Sequence, residues 1–204
     1  MVYNIDMVKS KLNGLILSGG KSSRMGHDKG LIDWWGKPHK YFLADLVSPY
    51  CDDVYLSCRS DEKHSVRGDY NYIVDTNEFS DSYGAIVSAL SQYKDTAQLV
   101  IACDMPFITR EAIEYLIRMR DASKIATTYQ SPDSGLPEPM FTIWEPSSLE
   151  ALRKLAKQGI DCPRKALIIS KQHVKHVKPL DKQIITNVNT PEEALKAREK
   201  INAR

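Results

Sequence analysis

Leu15–Lys29 reads LILSGGKSSRMGHDK, and the fold follows from how this stretch changes character. Leu15, Ile16 and Leu17 form a short apolar run, the pattern of a buried strand. At Ser18 the run stops and two adjacent glycines follow. Gly19 and Gly20 tolerate backbone angles closed to other residues, and without side chains they let a ligand approach the main chain. N–H groups turned into such a loop make an anion-binding hollow. Lys21, Arg24 and Lys29 place positive charge beside it. A strand, a glycine turn and clustered cations suit a nucleoside triphosphate; the rival reading is a surface turn with solvated charges. Two familiar phosphate loops are excluded. The glycines are adjacent rather than spaced as G-x-G-x-x-G, and Gly26 is followed by His27 where a P-loop needs Lys.

Working outward, apolar runs and amphipathic stretches alternate. Leu12–Ser18, Asp53–Cys58, Tyr70–Val74 and Leu99–Cys103 read as strands. Tyr41–Ser48 reads as a helix with Phe42, Leu43, Leu46 and Val47 on its apolar face, and Gly84–Tyr93 as another with Ile86, Ala89, Leu90 and Tyr93 inward. Continuous runs such as LVIAC belong to strands covered on both faces, so the rhythm predicts a three-layer α/β/α fold with a mostly parallel sheet. The later part is less regular. Thr109 is placed to cap a helix bearing Ile113, Leu116 and Ile117, and Lys124–Tyr129 is a strand candidate. The loop SPDSGLPEP precedes a strand MFTIW, and a helix runs from Ser147 toward a stop at Gly159. Val174–Val177 reads as a short edge strand. Thr190-Pro191-Glu192-Glu193 holds an N-cap, a first-turn proline and a capping-box glutamate.

The chain has 204 residues, enough for one full-sized core. The expected organisation is a flexible N-terminus over residues 1–11 and a single domain over 12–204. A formal net charge of +2 argues against nucleic acid as a partner, and the lack of a run of 18 apolar residues argues against a membrane span. MVYNIDMVKSK lacks the apolar centre of a secretory signal, so the expected location is cytoplasmic. Cys51, Cys58, Cys103 and Cys162 show no C-x-x-C spacing and read as reduced thiols. The five histidines have no metal spacing, and His173 and His176 are expected at the surface.

In parallel sheets ligands sit beyond the carboxyl ends of the strands. The residues just past the runs are Ser18–Gly20, Ser57–Arg59, Asp75 and Asp104, and two of them are carboxylates. Asp104 is the candidate ligand for a hard divalent cation, with a strand-end turn cap as its alternative.

LSGGKSSRMGHDKG resembles the L-[AS]-G-G-x-S-x-R-M-G-x-D-K signature of the molybdenum cofactor guanylyltransferase (MobA-like) family of the nucleotidyltransferases. CDMPF is similar to that family's C-D-x-P-[FY] motif, YIVDT to its aspartate after the third strand, and NVNTP to its N-[VI]-N-T-P segment. The resemblance runs from Leu12 to about Ala197. It implies a Rossmann-like nucleotidyltransferase fold and Mg²⁺-dependent transfer of GMP from GTP to molybdopterin, with pyrophosphate released. It further implies Arg24, Lys29 and Asp104 as catalytic residues and Asp104 as the metal ligand. Leu17, Ser18, Gly19, Gly20, Lys29, Ser57, Asp75 and Asp104 would bind the nucleotide, and Glu138, Asn187 and Asn189 the acceptor. GTP and the molybdenum cofactor are the implied partners, along with other cofactor-biosynthesis proteins or acceptor apoenzymes.

Three segments depart from the family pattern. Ser57 stands where Asn is usual, Ser88 closes the segment that matches G-P-[LI]-x-G, and Glu138-Pro139 replaces [HQ]-P before the sixth strand. Glu138 either meets the acceptor or holds a second metal ion; Arg164, Lys165 and Lys171 are candidates to offset its charge or else form a solvated basic helix face. These departures keep two rivals open: a nucleotidyltransferase of the same fold that uses CTP or a sugar-phosphate acceptor, and a nucleotide-binding homologue that has lost turnover.

Overall fold

A computed structural model describes residues 11–18, 29–76, 78–79 and 81–203. Gly19, Gly20 and Arg24, with most of the glycine loop and of the N-terminal segment 1–11, lie outside the described residues. In chain order the elements are β1 (Leu12–Leu17), α1 (His39–Val47), β2 (Val54–Cys58), β3 (Asn71–Val74), α2 (Asp81–Gln92) and β4 (Ala97–Ala102). There follow α3 (Arg110–Arg118), β5 (Ala126–Gln130), β6 (Pro137–Trp144), α4 (Ser148–Ala156), α5 (Pro163–Ile169), β7 (Val174–Val177) and α6 (Pro191–Asn202).

The strands form one seven-stranded sheet in the order β3-β2-β1-β4-β6-β5-β7. All pairings are parallel except the two made by β6, which runs antiparallel between β4 and β5. Side-chain alternation along β1 splits the core into two layers. Ile16, Leu56, Leu99, Ile101 and Phe141 pack under α1 and α3. Leu15, Leu17, Ile73, Val100 and Trp144 pack under α2, α4 and α5. Gly14 lies where α1 approaches β1 closely, since a Cβ there would stand 2.9 Å from Val47 Cγ2.

The local signals hold at the helix starts. Thr109 accepts the N–H of Ala112 at 3.3 Å, and Thr190 and Glu193 complete a capping box at α6. The expected face of α1 meets the core and is wider than predicted: Leu43 and Val47 are buried together with Tyr41 and Ala44, and the half-buried Phe42 and Leu46 pack against the same cluster, Phe42 also stacking on Trp35 and His39. The proline-rich loop gives way earlier than its composition predicts. β6 begins at Pro137, so Glu138-Pro139 lies inside a strand rather than before it. β4 pairs with β6 only at Phe141 and beyond, which leaves Pro137–Met140 on a stretch where a missing N–H costs little. Helix α5 was not predicted; its seven residues are too few to show a period. Among the described residues, which include all four cysteines, there is no disulfide. His173 is exposed, but His176 is only half-exposed, with a buried Nδ1. Among the described residues no helix is long and apolar enough to cross a membrane.

One ion pair stands out energetically. Glu145, at the end of β6, is 2% exposed and takes Arg120 in a bidentate grip at 2.7 and 2.8 Å. Removing one partner of a buried pair strands the other, at a cost of about 3–5 kcal/mol. Glu145→Ala is therefore expected to lower Tm by roughly 10 °C for a chain of this size. A drop of under 2 °C in a thermal melt would show that the pair contributes nothing.

Candidate functional site

The strand order reverses between β1 and β4, and an open α/β sheet holds its ligand in the crevice at that point. β1 leads through Ser18 into the glycine loop, and β4 leads into the Cys103-Asp104-Met105-Pro106 turn. The two exits are joined, because Cys103 N–H donates to the Leu17 carbonyl at 3.4 Å. Leu17 itself is buried in the core and borders the crevice through its backbone.

On the β4 side the structure gathers residues from three distant segments. Lys29 Nζ donates to Asn189 Oδ1 at 2.6 Å and lies 3.5 Å from Asp104 Oδ2. Val188 N–H donates to the Asp104 carbonyl at 2.7 Å, which seats the Asn187–Asn189 segment against the same turn. A small apolar cluster locks these segments together. Trp34, Phe107 and Val188 pack with Ala197 and Ile201 of α6. Trp34 follows Lys29, Phe107 follows Asp104, and Val188 separates the two asparagines.

Burial raises the pKa of Asp104, and the Lys29 ammonium partly offsets that. Asp104 Oδ1 and Asn187 Oδ1 are both buried without a hydrogen-bond partner among the described residues. Unpartnered hard oxygens at a sheet's ligand crevice fit a small divalent cation that takes most of its remaining shell from water and phosphate. Among the described residues no group of three or more His, Cys, Asp or Glu is placed to hold a metal ion.

On the β2–β3 side a chain of hydrogen bonds links the strand ends. Ser18 Oγ donates to the Ser57 carbonyl at 2.6 Å, and Ser57 Oγ donates to the Asp75 carboxylate at 3.2 and 3.4 Å. Thr76 N–H donates to Ser88 Oγ at 2.9 Å. The two serines that depart from the family pattern are thus the groups that hold the β3 exit. Gly84 is needed nearby, because a Cβ there would stand 2.1 Å from the Phe79 carbonyl oxygen. Burial pushes the Asp75 pKa up to about 6, eased by the Ser57 hydroxyl and reinforced by the Glu62 charge.

A carboxyl group with a raised pKa stabilises the fold below its unfolded value of 3.8, and that contribution is lost as pH rises through about 6. Asp75→Asn removes the loss. The Tm of the variant relative to wild type is expected to climb by about 2–4 °C between pH 4 and pH 7, allowing for the group's partial solvation. A constant difference across that range would contradict the assignment.

The third part is a cleft of about 210 Å³ whose lining includes Ser131, Glu138, Arg164, Lys182 and Thr186. Glu138 is buried and both its oxygens are engaged: Oε1 accepts Met140 N–H and Oε2 accepts Arg164 Nη2, each at 3.1 Å. Arg164 Nε also donates to the Pro137 carbonyl at 3.2 Å. Burial raises the Glu138 pKa, Met140 N–H and Arg164 lower it, and Asp104 is close enough to raise it further. Glu138 thus holds the half-exposed Arg164 guanidinium at the cleft. Of the expected site residues, Lys29, Asp104, Asn187 and Asn189 meet at one turn, Ser18, Ser57 and Asp75 at the neighbouring strand ends, and Glu138 in this cleft.

Sequence reasoning missed His39, which is almost fully buried. Its Nε2 lies 3.2 Å from the Met105 carbonyl and its Nδ1 has no partner among the described residues. Burial lowers its pKa to about 4, with the Met105 carbonyl acting against that, so the ring is neutral near pH 7. Its only signal was a polar residue at the start of an apolar helix.

The chain matches the MobA-like NTP transferase domain over residues 14–177. It is 34% identical over 189 residues to the molybdenum cofactor biosynthesis bifunctional protein of Synechocystis sp.; the match covers 92% of this chain and 54% of that protein, so the chain spans about half of that relative's length. It is 30% identical over 185 residues to the molybdenum cofactor guanylyltransferase of Pseudomonas putida, covering 87% of this chain and 93% of that one. The fold superimposes on the crystal structure of molybdopterin-guanine dinucleotide biosynthesis protein A from Archaeoglobus fulgidus with a TM-score of 0.76 and 26% identity, over 94% of this chain and 100% of that chain.

Proposed function

The chain belongs to the MobA-like NTP transferase family, and on that premise we propose that it transfers GMP from GTP to molybdopterin, with Mg²⁺ at Asp104. The observation that carries this reading is the pairing at the β4 exit: a lysine ammonium 3.5 Å from Asp104, whose other oxygen is buried and has no partner among the described residues. Nucleotidyl transfer needs a cation for the triphosphate and a carboxylate for the metal at one point, and little covalent chemistry from the protein.

In the proposed reaction a terminal phosphate oxygen of the pterin attacks the α-phosphorus of GTP. A new P–O bond forms, the bond to the β-phosphate oxygen breaks, and pyrophosphate leaves with that electron pair. The attacking phosphate is already largely ionised near pH 7, so no residue has to remove a proton. Bound Mg²⁺ would supply charge neutralisation on the phosphate oxygens. Asp104 and Asn187 would hold it, and Lys29 would turn from Asn189 to the triphosphate. Arg24, Gly19 and Gly20 complete the proposed phosphate loop. Ser18, Ser57 and Asp75 would flank the nucleoside, where a carboxylate offers two acceptors to the N1–H and N2–H₂ donors of guanine. Asn189, with Arg164 held by Glu138, would face the acceptor phosphate.

The test is pyrophosphate release by the purified chain with GTP, Mg²⁺ and molybdopterin, with the dinucleotide product identified by mass. Release with CTP in preference to GTP, or none with either, would reject the proposal. The same comparison separates it from a CTP-using relative and from a homologue without turnover.

A further inference from the structure

The turn that carries Asp104 cannot satisfy its own backbone. Pro106 has no N–H, and the carbonyls of Asp104, Met105 and Pro106 lie past the end of β4. Each of the three accepts from a different place. Val188 N–H takes the Asp104 carbonyl at 2.7 Å, and the His39 ring takes that of Met105 at 3.2 Å. Trp35 Nε1–H takes that of Pro106 at 3.1 Å. A carbonyl acceptor requires the His39 proton to sit on Nε2, which makes the neutral ring a donor there and leaves Nδ1 bare. A buried ring nitrogen without a partner is unfavourable, so the Nε2–H bond is what gives a histidine at this position its use.

Both side-chain donors are themselves fixed by one ring. Phe42 stacks on His39 with centroids 5.8 Å apart and on Trp35 at 5.9 Å. The same excursion of the chain, residues 29–39, begins with Lys29 against the Asp104 carboxylate and ends with these donors on the carbonyls behind it. Among the described residues no side chain but Lys29 holds the carboxylate: Oδ1 has no partner, and beyond the contact with its own backbone N–H the group has the ion pair at 3.5 Å. Its direction is therefore set by its backbone.

We infer that His39 and Trp35 are positioning residues that aim the Asp104 carboxylate by clamping the Met105 and Pro106 carbonyls. This rests on the reading of Asp104 as the metal ligand. The effect belongs to metal binding and not to nucleotide binding as such.

The experiment uses the full chain with GTP and follows Mn²⁺ binding by electron paramagnetic resonance, beside the Mg²⁺ dependence of pyrophosphate release. His39→Leu is expected to weaken metal binding about tenfold, the scale of one buried hydrogen bond, and to leave metal-free GTP binding unchanged. His39→Gln, which keeps an N–H in reach of Met105, is expected within about twofold of wild type. Trp35→Phe keeps the stack, loses only the donor, and is expected to weaken the metal about threefold. His39→Leu or Trp35→Phe with wild-type metal affinity overturns the inference, as does a Gln variant no better than Leu. Trp35→Phe decides the matter if His39→Leu does not fold. Wild type that binds no Mn²⁺ in the presence of GTP overturns the functional reading and the clamp together. Wild type that binds it, with unchanged variants, overturns the clamp alone.

Discussion

Asp104→Asn is expected to cut GMP transfer by about a thousandfold or more while leaving the unliganded Tm at or above that of wild type. The two halves of this expectation have separate causes. The activity is lost because an amide oxygen carries no charge to hold a divalent cation, and among the described residues no cluster of His, Cys, Asp or Glu can replace it. The fold is kept because burial already disfavours the charged carboxylate, so a neutral isostere relieves that cost, and Lys29 retains Asn189 at 2.6 Å. Pyrophosphate release and a thermal melt without ligand measure the two. Transfer above a tenth of wild type would remove Asp104 from the metal site. A large drop in Tm would make it a structural residue.

Lys29→Met is expected to lower transfer about a hundredfold and to destabilise the chain in a way that depends on pH. Lys29 is the group that holds the Asp104 pKa down against burial. Without it that pKa rises further, and stability is lost as pH rises through the new value. The Tm deficit of Lys29→Met should therefore be largest near pH 8 and shrink toward pH 5. In an Asp104→Asn background the same substitution should cost less and lose its pH dependence, because the charge it left unpaired is gone and only the bond to Asn189 is lost. A deficit that is independent of pH in the wild-type background, or one equally large in the double variant, would show that Lys29 does not act through the Asp104 charge.

The departures at Ser57, Ser88 and Glu138 look like losses when the sequence is set against its family. In the structure each is a working hydrogen-bond group. Ser57 bonds Asp75, Ser88 takes the N–H of Thr76, and Glu138 holds Arg164. A motif comparison registers the missing residue type and cannot register the partner that makes the substitute useful.

What the sequence by itself determined is local or periodic. Apolar runs longer than a turn placed the strands, with Val174–Val177 matched at both ends. Cap chemistry placed the start of α6, and the polar residue after each run marked the site-bearing edge of the sheet. These signals need only neighbours in the chain, where spacing alone dictates which side chains share a face. What tertiary structure alone decided depends on residues far apart. The Lys29–Asn189 bond spans 160 positions, the Trp34–Phe107–Val188 cluster joins three segments of the site, and His39 finds its carbonyl 66 residues away. None of these pairs has a spacing to read. Each exists because the crossovers of a parallel sheet bring the ends of β1 and β4 side by side, and because buried polar groups there had to find donors wherever the fold supplied them.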